Sequence, residues 1–102
     1  MFVQADIKRL PEIKKILTER LLPEYNRIKG NLVLYKIEEF GNNVRQAADE
    51  LNFKWLINYA EKLQNEAESI SIDELEITLH RFPQIIEYIS TTINDTNEHK
   101  VQ

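Results

Sequence analysis

No cysteine occurs in this chain, which removes disulfides, thiolate metal sites and thiol nucleophiles from consideration. Glycine is nearly as scarce. Gly30 and Gly41 are the only two and stand apart, so no glycine-rich phosphate cradle can form. With three prolines besides, there are too few turn formers for a large sheet. No run approaches the roughly 20 apolar residues of a membrane span, and the N-terminus lacks a signal-peptide pattern. The expectation is a soluble, cytoplasmic chain with no direct membrane insertion. Cations are outnumbered, 13 Lys and Arg against 17 Asp and Glu, and they are scattered. Phosphate neutralisation needs them clustered, so nucleic acid is not an expected partner. The two histidines, His80 and His99, lie far apart, so neither a metal site nor a cofactor is expected.

What is present favours helices. The chain is 42% hydrophobic and rich in Leu, Ile, Glu and Lys, enough for one modest core. Its 102 residues suit a single domain over 1–102, with a core from about 10 to 93, a lead-in at 1–9 and a polar tail at 94–102. It reads as a module excised from a longer protein. A first helix is expected from Leu10–Pro11, with Ile13, Leu17 and Leu21 on its apolar face and Ile16 beside it. Pro23 should bend or break it, leaving a short helix to Lys29 before Gly30–Asn31. Ile37, Phe40, Val44, Ala47 and Leu51 step by three and four and predict a helix over about 34–50. Gly41 within it either permits close packing or is tolerated. Phe53, Leu56, Ala60, Leu63 and Ala67, widened by Ile57, predict the next, over about 53–68. Ser71 followed by Glu74 predicts a capping box, with Ile70 and Leu75 as its staple. Leu75, Leu79, Phe82, Ile86 and Ile89 then form the last stripe, kinked where Pro83 cannot donate to Leu79. The expected fold is all-α: an antiparallel up-and-down four-helix bundle with a bent N-terminal segment.

No catalytic signature appears among these helices. Carboxylate pairs such as Glu38–Glu39, Asp49–Glu50 and Asp73–Glu74 read as solvated faces or caps rather than acid–base dyads. His80 reads either as a flank residue beside Leu79 or as a phosphoryl acceptor or ligand. Trp55 and Tyr59 share one helix face largely off the buried stripe. They form a partner-docking patch or pack against the N-terminal helices. Arg45 and Lys54 flank the corner near Asn52 and either meet an acidic partner or are ordinary surface charges. The candidate partner-binding residues are therefore Arg45, Lys54, Trp55 and Tyr59; no catalytic residue is assigned.

Several runs carry a resemblance: L-L-P-E-Y at 21–25, I-E-E-F at 37–40, L-N-F-K-W-L-I-N-Y-A-E-K-L at 51–63, A-E-S at 67–69, the Ile72–Asp73 helix start and R-F-P-Q-I-I at 81–86. Together they resemble the C-terminal module that follows receiver domains in bacterial hybrid sensor histidine kinases. That module in turn is similar to the histidine phosphotransfer (HPt) domain, a four-helix bundle relaying phosphate between receivers. Its acceptor lies in an H-x-x-K-G context on the helix matched by 36–51. Here that position falls near Val44, and 36–51 contain no histidine. Valine cannot attack an aspartyl phosphate, so the resemblance implies the scaffold without the relay.

Three functions are left to weigh. The first is a non-enzymatic interaction module of two-component signalling that docks a receiver or histidine kinase domain, in cis or in trans. The second is an active phosphotransfer domain using His80. The third is a structural or homo-oligomerising bundle.

Overall fold

In the computed structural model, backbone is described for residues 4–101 and side chains for residues 6–95. Among them there is no strand. Six α-helical segments make up four helical stretches: α1 (Gln4–Ile16) continuing through a π-helical turn, Leu17–Leu21, into α2 (Leu22–Ile28); α3 (Leu34–Leu51); α4 (Lys54–Glu68); and α5 (Ile72–Leu79) followed by α6 (Phe82–Val101). The all-helical class expected from composition is what the chain adopts.

The prolines explain where the first and last stretches depart from expectation. The first helix is already formed at Gln4, within the anticipated lead-in, so Pro11 lies inside it rather than in its first turn. Those early turns are held by tertiary contact. Leu10 is fully buried, Ile7 packs against the core, and Arg9 pairs with Asp6 at 3.1 Å. Pro23 does not end the helix. A regular α-turn would drive its ring into the Glu19 carbonyl. The π-turn just before it takes up one extra residue, with Leu22 N–H reaching back to Leu17 O. Leu21 and Tyr25 thus stay on the buried side.

At Pro83 the chain breaks instead of kinking. α5 closes at Leu79, His80 and Arg81 form a turn, and Pro83 falls in the first turn of α6, where a missing N–H is harmless. This break resets the helical phase. Ile85 joins Phe82 and Ile89 in the core, while the expected Ile86 is only half-buried. α6 continues through Asn94 and on to Val101; the side chain of His99 lies outside the described residues.

One core joins all four stretches. It holds every residue of the two middle stripes, Ile37 to Leu51 and Phe53 to Ala67, with Ile13, Leu17, Leu21, Leu75 and Leu79. Each large apolar side chain buried this way contributes about 1.5–3 kcal/mol. α3 and α4 make the most extensive helix pair; α4 also packs on α5, α1 on α6, and α2 on α3. Gly41 sits in the α3–α4 seam. A Cβ there would meet Gln64 Cγ at 3.2 Å and Leu63 Cδ2 at 3.7 Å, so its lack of a side chain serves close approach. No described helix is long and apolar enough to cross a membrane.

The helix ends are closed by the chain itself. At the α3–α4 corner Asn52 adopts a left-handed conformation (φ 50°), Phe53 N–H bonds Ala48 O and Asn52 N–H bonds Asp49 O. This pattern satisfies the last carbonyls of a helix. The α4–α5 corner repeats it with Ile70 (φ 54°): Ser71 N–H bonds Glu66 O and Ile70 N–H bonds Ala67 O. Ser71 does sit at the N-cap of α5, but the expected capping box is not made. Its hydroxyl engages Ser69 Oγ at 3.0 Å and makes no bond to the α5 backbone. Nor does Ile70 form a staple, because the left-handed turn leaves it 64% exposed.

Candidate functional site

The four candidate binding residues do not form one patch. Arg45, on α3, bonds Asp49 at 3.2 Å one turn along and Glu61 of α4 at 3.0 Å. It is a strap across the α3–α4 seam, and being largely solvated it contributes at most about 1 kcal/mol. Lys54 is exposed at the start of α4. Trp55 and Tyr59 face another way, towards α5 and α6. The Trp55 ring lies 6.3 Å from Phe53 and 6.1 Å from Tyr88, centroid to centroid, and the Tyr59 ring 6.4 Å from Phe82.

Tyr59 has a clear structural role. Its hydroxyl donates to Thr78 O at 2.8 Å and approaches Leu79 O at 3.4 Å. Leu79 O is the carbonyl that Pro83 cannot serve, so a side chain from α4 covers what the proline leaves open. Burial pushes the Tyr59 hydroxyl pKa well above the usual tyrosine value; the neighbouring Tyr25 and Glu66 add to the rise and Arg81 opposes it.

His80 sits half-buried in the α5–α6 corner, where its Nδ1 shares a 3.0 Å hydrogen bond with the Tyr25 hydroxyl. The two rings meet nearly edge-on, 88° apart with centroids at 6.3 Å. Tyr25 also packs against Phe40 and Phe82, and burial raises its pKa too. The imidazole is therefore part of an aromatic cluster joining α2, α3 and the α5–α6 corner. On α3, Val44 is fully buried, and its more accessible neighbours are Asn42, Asn43, Arg45 and Gln46. No group of His, Cys, Asp or Glu among the described residues could hold a metal ion.

A surface that the linear pattern does not reveal lies between α4 and α6. Trp55, Asn58, Tyr59 and Lys62 on one side face Arg81 and Ile85 on the other across a groove of about 300 Å³. It continues into a second hollow of about 220 Å³ bounded by Trp55, Arg81, Gln84, Ile85 and Tyr88. Trp55 and Tyr88 are 33 positions apart in the numbering, and only the fold pairs them. The one advance signal was the Trp55–Tyr59 helix face. Comparison with family models, with curated proteins and with solved structures finds no match to this chain.

Proposed function

We propose that this chain is a non-enzymatic interaction module of bacterial two-component signalling, an HPt-like antiparallel four-helix bundle that docks a receiver or histidine kinase domain without carrying phosphate. The observation that carries this reading is the chemistry of α3. The helix matched to the acceptor helix has a buried valine at that position and only amide and guanidinium side chains around it. None of these is a phosphoryl-accepting imidazole. The pairing of α3 with α4, α4 with α5, α1 with α6 and α2 with α3, in a body of 48 × 23 × 21 Å, supports the bundle.

Calorimetric titration with a bacterial receiver domain and with a histidine kinase domain tests the proposal. Binding by the native chain, weakened in Trp55→Ala, is the expected result; no binding by the native chain sinks the docking reading. Native-strength binding by Trp55→Ala removes that ring from the contact. Incubation with a phosphorylated receiver should leave the chain unlabelled. Acid-labile phosphate that disappears in His80→Ala would instead make it a phosphotransfer domain.

A further inference from the structure

We infer that the α4–α6 groove is the docking site of an acidic peptide segment bearing an apolar anchor side chain. The inference deepens the docking reading above, and rests on it, by assigning a surface and a partner chemistry. Three observations meet in one place. First, the two hollows share Trp55, Arg81 and Ile85, so a single bound side chain can touch aromatic, aliphatic and cationic groups together. Trp, Tyr and Arg are the residue types that dominate binding energy at protein interfaces.

Second, the groove opposes the charge of the molecule. The chain carries a formal charge of −4, yet the charged residues lining the groove are Lys62 and Arg81, with no carboxylate among them. Lys62 is already balanced by Glu66 Oε2 at 3.2 Å. Third, Arg9, Arg20 and Arg45 each hold a carboxylate, whereas Arg27 and Arg81 are exposed and make no ion pair among the described residues; of these two, Arg81 is the one that borders the groove. A guanidinium without a carboxylate, beside an apolar hollow, suits an Asp or Glu that flanks a Leu, Phe or Trp. Basic segments would be repelled, and an apolar segment without acid would leave Arg81 unused.

Selection of random decapeptides displayed on phage, run in parallel on the native chain and on Arg81→Glu, tests the assignment. The native chain should enrich peptides that place Asp or Glu next to a large apolar residue. A synthetic copy of the most enriched one should shift the fluorescence of Trp55, the sole tryptophan. Its affinity should fall at least ~10-fold in Arg81→Glu, whose exposed site leaves the helix intact by circular dichroism, and should weaken with added salt. A basic or uncharged consensus, an unchanged affinity in Arg81→Glu, or binding without a Trp55 signal overturns the assignment. The calorimetric titration above is scored separately, so a receiver bound equally by native chain and Arg81→Glu removes the groove while leaving docking intact.

Discussion

The two corners that flank α4 have the same backbone solution and opposite surroundings. At Asn52 the left-handed residue is one whose short polar side chain tolerates that conformation, and the next residue, Phe53, is fully buried. Arg9 reaches across from α1 to donate to Leu51 O and, at 3.4 Å, to Asn52 O. At Ile70 the left-handed residue is β-branched, where the conformation is strained, and it stands in solvent. The side-chain bonds recorded there are local: Ser69 Oγ donates to Asn65 O at 2.8 Å and meets Ser71 Oγ. One corner is sealed by a distant helix, and the other is closed only by its own residues. The α5–α6 corner belongs with the first, since Tyr59 seals it from α4. Identical hydrogen-bond patterns can therefore carry different stabilities.

Removing the distant seal gives the largest expected effect. Arg9→Ala leaves two corner carbonyls without their charged donor and should lower stability by about 1–2 kcal/mol, read as a lower urea midpoint at unchanged m-value. Ser69→Ala at the other corner should cost less than about 0.5 kcal/mol. Equal losses would abolish the distinction.

The sealed α5–α6 corner has a signature in alkali. The unfolded chain releases the Tyr59 proton near the ordinary value of 10.0, whereas the folded chain retains it. Stability from this group is complete below pH 10 and drains above it, by up to about 1.4 kcal/mol per pH unit. Tyr59→Phe should flatten that decline in pH-dependent unfolding, leaving the smaller contribution of Tyr25, which has the same sign. An unchanged slope would mean that Tyr59 is not shielded.

The remaining effect is a gain. Ile70→Gly relieves a left-handed β-branched residue, worth about 1–2 kcal/mol, against glycine's extra freedom in the unfolded chain, about 0.5–1 kcal/mol. A net rise of roughly 0.5–1 kcal/mol should raise the melting temperature by several degrees. A fall would show that Ile70 is packed despite its exposure.

The same contrast explains what could be read from the linear chain. The stripes of α3 and α4 were legible because one regular helix turns a sequence period into a buried face. Legibility ended where a tertiary partner decides the outcome. Nothing in residues 4–9 announces a helix apart from Ile7, because the clamps on that segment, Leu51 O and Asn52 O, lie over 40 residues away. Ser71 and Glu74 spell a capping box, yet the turn at Ile70 serves the end of α4 by main-chain bonds. A single phase extended from Leu75 and Leu79 points Ile86 at the core, but the break at His80–Arg81 starts a new phase that buries Ile85 instead. Trp55 and Tyr59 were recognised as a helix face, but Arg81 and Tyr88 join it only through packing, and Arg45 is drawn away by Glu61.

The π-turn at Leu17–Leu21 acts as a phase adjuster for the first rod. Its surplus residue sets the angle between the Leu10–Ile13 face and the Tyr25–Ile28 face, which rest on different parts of the core. Winding these same residues at ordinary α pitch would swing one rod half by about 100° relative to the other. Either the leading hydrophobes or the Tyr25–His80 contact would be rotated out of place. The pitch of this segment is thus constrained as tightly as its composition, although its middle residues, Thr18, Glu19 and Arg20, face water.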